Sequence, residues 1–221
     1  MTTLYECFQL AERSIPLRFD SVERLSAVLG ADRVVGGAAY IATVIASPGV
    51  IKHTSAFAMM RFGRADKKPD STLNAFVDAG KAAKLDIALA ADIQRELWQK
   101  FIFLTAMAGS TATLRSSIGP IVADTDLRGF FRALMEEAFA VGKAKGIALD
   151  PAYLDDRMDF VVNKCEPGMK ASMAHDLERG NRLELDWLAG KVRTLGKELR
   201  IPTPASDTVY TALKLHRMGS H

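Results

Sequence analysis

Apolar positions along the chain follow two different patterns, and the change from one to the other divides the sequence. Residues 33–47 and 50–63 are rich in Val, Ile and Ala without a helical repeat, and Pro48-Gly49 stands between them. Two such runs about a Pro-Gly pair predict a β-hairpin. Gly36 and Gly37 in the first run read as a bulge or a close-packing site rather than a phosphate cradle. Ahead of the hairpin, Asp20 and Glu23 have capping-box spacing before Val22, Leu25 and Val28, and Gly30 supplies a stop, so residues 21–29 are expected to be helical. Residues 4–12 are compatible with a short helix, whereas 15–19 show no period.

The polar stretch 64–71 (RADKKPDS) contains Pro69 and is the expected boundary between a segment at 1–66 and a helical domain at 67–221. Beyond it every run reads as helix. Asp70 or Ser71 caps a helix through Ala83, Asp92 caps the next, and residues 127–145 repeat Leu, Phe, Met and Val at helical spacing up to Gly146. Asp150-Pro151 opens a helix to about Asn163, which Pro167-Gly168 follows as a break. Ser172 is expected to cap a short helix to Arg179, residues 183–199 to form a long amphipathic helix, and 207–215 the last one.

The most apolar segment, 91–119, has no ionisable side chain from Phe101 to Leu114. Leu97, Trp98, Phe101, Ile102, Leu104 and Met107 wrap round its helical wheel, as in a helix at the centre of a bundle. A bilayer span needs about 20 apolar residues. This shorter run, interrupted by Thr, Ser and Gly, reads as a buried core helix, and Lys100 at its margin must reach water or a polar partner.

Composition narrows the classes. The 221 residues are 48% hydrophobic and 25% charged, enough for a sizeable core in one large domain or two small ones. Against 26 acidic residues there are 29 basic ones, well mixed, so the net charge of +3 marks no basic patch and no nucleic-acid partner. Cys7 and Cys165 are far apart and fit no metal or disulfide spacing. With no secretion signal and no membrane span, the expectation is a soluble, cytoplasmic protein with no bound metal and no membrane partner.

Two charges carry the candidate chemistry. On a helical wheel Glu184 falls in one stripe with Trp187, Leu188, Lys191 and Leu195, so its carboxylate faces partly into the core and needs a partner. Lys100 is the natural one, across a cleft that could seat a substrate. The bland alternatives are a structural ion pair for those two and a simple N-cap for Ser172.

Several short motifs occur together and in order. Trp98-Gln99-Lys100, the S-M-x-x-D of Ser172 to Asp176, the R-L-E-L-D of Arg182 to Asp186 and the RIPTP of Arg200 to Pro204 resemble the C-terminal domain of the ketopantoate (2-dehydropantoate 2-) reductase family. Residues 32–54 resemble the end of that family's nucleotide-binding domain. The resemblance implies an α+β chain. Its main part would be an all-α C-terminal domain like that of 6-phosphogluconate dehydrogenase, preceded by a hairpin remnant of a Rossmann domain. It further implies NADPH-dependent reduction of a 2-keto acid to a 2-hydroxy acid; a homodimer is expected separately, from the Gly-flanked helices and the apolar surface of residues 130–140. By the same resemblance Lys100 is catalytic, donating a proton to the carbonyl oxygen; Glu184 binds the substrate hydroxyl side and cofactor ribose; and Ser172 contacts the substrate carboxylate or nearby groups. An ammonium in a low-dielectric pocket suits that task, since hydride addition builds negative charge on oxygen.

Two departures stand out. The chain contains no G-x-G, so the fingerprint G-x-G-x-x-G that brings backbone to a pyrophosphate is missing and NADP binding by this chain alone is expected to be poor. One and two turns after Lys100, where the family commonly has Asn, stand Leu104 and Ala108, which favours a less polar keto acid. A non-catalytic dimerisation module using the apolar surface of residues 130–140, and a helical domain with no site, are the other readings.

Overall fold

A computed structural model describes residues 20–219. The expected helix at 4–12, the segment 15–19 and Cys7 lie outside the described residues. Contacts divide the chain into two compact units, one of which is Asp20–Lys100, while the other includes Phe101–His221.

The first unit is built on a three-stranded sheet in the order β1-β2-β3. A helix α1 (Ser21–Leu29) and a single 3-10 turn lead into β1 (Gly36–Ser47), which pairs antiparallel with β2 (Val50–Gly63). Gly49 takes a positive φ of 77° at the turn, where a side chain would be strained, so the Pro-Gly reading holds. Register shifts fall at Ile41/Thr43 and Ile45/Ser47, not at the glycines. Gly36 is instead a close-packing site: a Cβ there would lie 3.0 Å from the Ile93 side chain.

From β2 the chain crosses by α2 (Ser71–Ala82) to β3 (Asp86–Leu89), which pairs parallel with β2. The Asp70 carboxylate accepts from the Thr72 and Leu73 amides and so caps α2. Phe62, Val77 and Ile87 form the small core between helix and sheet. Gly80 lets α2 lie directly on β3, since a Cβ at that point would come within 2.6 Å of Ile87. The strand β3 corrects the expectation that everything after Ser71 is helical. Its four residues, DIAL, suit a helix locally, but pairing with β2 satisfies their backbone and buries Ile87.

Helix α3 (Ile93–Thr113) begins in the first unit and continues into the second. Asp92 caps it through the Arg95 amide. The second unit then adds α4 (Ile118–Ala123), α5 (Thr125–Ala144), α6 (Ala152–Asn163), α7 (Ser172–Arg179), α8 (Ala189–Leu199) and α9 (Pro204–Leu213). Ile102, Ile121, Phe131, Leu134, Met135, Val141, Leu185 and Val192 are fully buried here, each worth about 1.5–3 kcal/mol of transfer free energy. The small α4 was not anticipated from the sequence. The apolar side of α5 is spent inside this unit, because Phe131, Leu134, Met135 and Ala138 are all at 0% exposure.

Four local expectations are corrected. Asp20 precedes α1 but its side chain makes no capping bond, its backbone being at φ −89°, ψ 13° instead of extended. The residue capping α7 is Ala171, with Ser172 already helical and no side-chain cap. Residues 183–199 are not one helix: 184–188 form a turn, Leu188 sits at φ −104°, ψ −99°, and α8 starts only at Ala189. The last helix likewise runs Pro204–Leu213 and tightens into a 3-10 turn at Lys214–His216.

Candidate functional site

Lys100 lies on α3, half-buried, at the end of the first unit. Its Nζ donates to the Ala39 carbonyl at 2.5 Å and stands 5.3 Å from the centre of the Tyr40 ring. The Tyr40 hydroxyl in turn donates to Glu96 Oε2 at 3.2 Å, one turn before Lys100 on the same helix. The ammonium expected to seek a polar partner therefore finds one in the backbone of β1. A carbonyl is a neutral acceptor, and this bond engages one of the three N–H donors that an ammonium carries.

Ser172 and Glu184 belong to the second unit and flank α7. Ser172 is exposed at the first position of the helix, and the loop before it is tied down from α3: Thr111 Oγ1 accepts from the Ala171 amide at 3.3 Å and donates to Met107 O at 2.6 Å. Thr111 is fully buried, and nothing in its sequence neighbourhood distinguished it from an ordinary core Thr. Glu184 opens the turn at 184–188, where its carbonyl accepts from both the Trp187 and Leu188 amides. Its half-buried position thus comes from the turn and not from a helical stripe.

A buried carboxylate that sequence reasoning missed lies in α5. Glu137, 8% exposed, accepts from the amides of Ala205 at 2.6 Å and Ser206 at 2.8 Å and from the Ser206 hydroxyl at 2.7 Å. Amides at a helix start have no intrahelical acceptor, and Thr203 at the N-cap of α9 offers no side-chain bond, so Glu137 caps this helix from another. The signal was present: Glu137 shares a helical face with Leu134 and Val141. A second network joins Arg193 of α8, which donates to Asp207 and lies 4.2 Å over the Tyr210 ring, to Asp186, which accepts the Tyr210 hydroxyl at 2.9 Å.

Other titratable groups explain themselves locally. The Lys170 ammonium, 2.5 Å away, holds Glu178 below the usual carboxylate range, with His175 assisting. Burial pushes the Cys165 thiol up, which keeps it protonated and a poor nucleophile. Among the described residues no group of His, Cys, Asp and Glu could hold a metal ion, and no helix is long and apolar enough to cross a membrane.

Residues 92–217, more than half of the chain, match the family described as ketopantoate reductase PanE/ApbA C terminal. The chain belongs to the ketopantoate reductase family. It is 30% identical over 186 residues to 2-dehydropantoate 2-reductase of Mesorhizobium japonicum, covering 84% of this chain and 56% of that protein. It is also 29% identical over 194 residues to the uncharacterized oxidoreductase YkpB of Bacillus subtilis, covering 88% of this chain and 64% of the relative. The crystal structure of 2-dehydropantoate 2-reductase from Geobacter metallireducens superposes with a TM-score of 0.78 at 25% identity, over 88% of this chain and 64% of that one. The chain thus spans less than two thirds of these relatives. The resemblance read from the short motifs is borne out, and so is the fold class of a helical C-terminal domain after a short strand segment; the chain is a member of a reductase-like oxidoreductase family.

Proposed function

We propose that this chain carries the proton-donating and substrate-anchoring part of an NADPH-dependent reductase of 2-keto acids. The observation that carries it is the half-buried Lys100 ammonium, held on helix α3 against the Ala39 carbonyl of β1. In this reading Lys100 Nζ protonates the keto oxygen as charge develops there, and an ammonium fixed on a rigid helix pays little reorganisation in doing so. Glu184 binds the hydroxyl side of the substrate, and Ser172, exposed at the start of α7, meets the carboxylate. Leu104 and Ala108, one and two turns beyond Lys100, leave that wall of α3 apolar, which favours a keto acid with an apolar side chain.

The described residues do not fit the pyrophosphate of the cofactor. Their strand-to-helix connections, 64–70 and 90–92, contain no glycine, and the amides at the starts of α2 and α3 are already taken by Asp70 and Asp92. A phosphate there would meet carboxylates instead of open N–H groups. NADPH must be held by nucleotide-binding residues other than these.

The test is a fusion of this chain to the nucleotide-binding half of the Mesorhizobium japonicum relative, assayed for NADPH oxidation with straight and branched 2-keto acids. Lys100→Ala is expected to lower turnover about 100-fold or more, the scale of a lost general acid. Turnover equal to that of the unaltered fusion would remove the proposed role. The proposal includes a homodimer, and a strictly monomeric mass in light scattering would discard that part.

A further inference from the structure

We infer that Asp186 is a positioning residue that holds the Glu184 turn against the C-terminal segment through the Tyr210 hydroxyl. The inference rests on the reading of Glu184 above and adds the device that sets its place. A turn is a loose mount for a functional carboxylate: the backbone bonds that shape it are local, the Trp187 and Leu188 amides donating to Glu184 O and Gly190 N reaching back to Leu185 O. Tertiary contacts on both sides of Glu184 make up the difference.

On one side, the Leu183 amide donates to the Arg217 carbonyl at 3.0 Å. On the other, Asp186 Oδ1 accepts from the Tyr210 hydroxyl at 2.9 Å and lies 3.9 Å from Arg217 Nη1. Arg217 therefore meets the segment twice, through its backbone before Glu184 and through its guanidinium after it. Tyr210 is itself braced, because Arg193 stacks on its ring while bonded to Asp207. Gly190 completes the fit: a Cβ there would lie 3.0 Å from both the Tyr210 ring and Leu185 O, tighter than ordinary contact, so glycine lets the ring lie close against the start of α8. Past Arg217 the chain stays on the same segment, with Gly219 packed so closely that a Cβ would lie 2.9 Å from Gly180 O. The 180–190 stretch is thus strapped by residues 210–219, and Asp186 receives both Tyr210 and Arg217.

A hydroxyl-to-carboxylate bond is charge-assisted and directional, so it fixes the turn and not merely its distance. Loss of the acceptor frees residues 184–188 to move while leaving the buried core untouched, and Glu184 moves with them.

The test uses amide hydrogen exchange on the 221-residue chain with Asp186→Ala, Asp186→Asn and Tyr210→Phe. The expected result is exchange at least about 10-fold faster at residues 183–190 in Asp186→Ala and Tyr210→Phe, with α5 protection unchanged. Asp186→Asn keeps an acceptor oxygen but loses the charge, and its exchange should fall between that of the wild-type chain and Asp186→Ala. Unchanged exchange at 183–190, or acceleration spread equally through α5, overturns the inference. In the reductase fusion, Asp186→Ala and Tyr210→Phe should raise KM for the keto acid several-fold with kcat nearly kept, and the double variant should be no worse than either single one. If Glu184→Ala raises KM but Asp186→Ala does not, the positioning role is refuted. If Glu184→Ala itself leaves KM unchanged, the reading of Glu184 fails, and the exchange result decides the strap by itself.

Discussion

Replacing Glu137 by Ala should be among the most damaging single changes in the second unit, although Glu137 is a charged residue on a helix. Its carboxylate satisfies two backbone amides and one hydroxyl at the start of α9, all buried. A hydrogen bond to a charged group contributes about 1.5–3 kcal/mol, but three made by one carboxylate are not additive. Removing one partner of a buried charged network costs about 3–5 kcal/mol, because the remaining donors stay dehydrated and unpaired. We therefore expect a loss of about 4 kcal/mol for Glu137→Ala, a large share of the 5–15 kcal/mol typical of a folded domain. Glu137→Gln retains one acceptor but turns an amino group toward donors, and should lose roughly half as much, about 2 kcal/mol. Ser206→Ala removes only the hydroxyl bond and should cost about 1 kcal/mol. Urea unfolding followed by circular dichroism measures all three, and the heat-unfolding midpoint of Glu137→Ala should fall by about 8–16 °C. A change within about 0.5 kcal/mol for Glu137→Ala would show that α9 starts without this cap and would refute the reasoning.

Other outcomes follow from single positions. Gly196→Ala places a Cβ 2.6 Å from Thr203 Cγ2 and 2.8 Å from Ile201 O, so the usual helix gain of about 1 kcal/mol should be reversed, with a net loss in urea unfolding. Arg200 closes α8 in the left-handed conformation at φ 60°, so Arg200→Gly should raise stability by about 0.5–1 kcal/mol, and a lower urea midpoint would contradict this. The hydrogen bond from Arg64, reinforced by the Lys68 amide, lowers Asp66 from 3.8 to about 2. Because the folded value is depressed, this contact supports the native state fully above the ordinary Asp range and is lost as pH falls through about 2. Carboxyl NMR should give that midpoint, and Arg64→Ala should return it toward 3.8.

Sequence period and punctuation alone determined much of this protein. Pro48-Gly49 between two β-rich runs specified the hairpin, Asp70 and Asp92 marked the starts of their helices, and the charge-free run after Lys100 announced the buried helix. These features are legible because each depends on residues a few positions apart. The candidate Lys100 was visible for the same reason, as one charge at the edge of a long apolar stretch. Tertiary structure alone decided the rest. Ile87 became strand because β2 offered it a ladder, the Glu184 turn is met at Asp186 by Tyr210 and Arg217, and the N-cap of α7 falls at Ala171, whose amide Thr111 binds, with Ser172 already inside the helix. Glu137 caps a helix through the Ala205 amide, 68 residues further along. In each case the deciding partner is remote in the chain, and a window read along the sequence contains only one half of the bond.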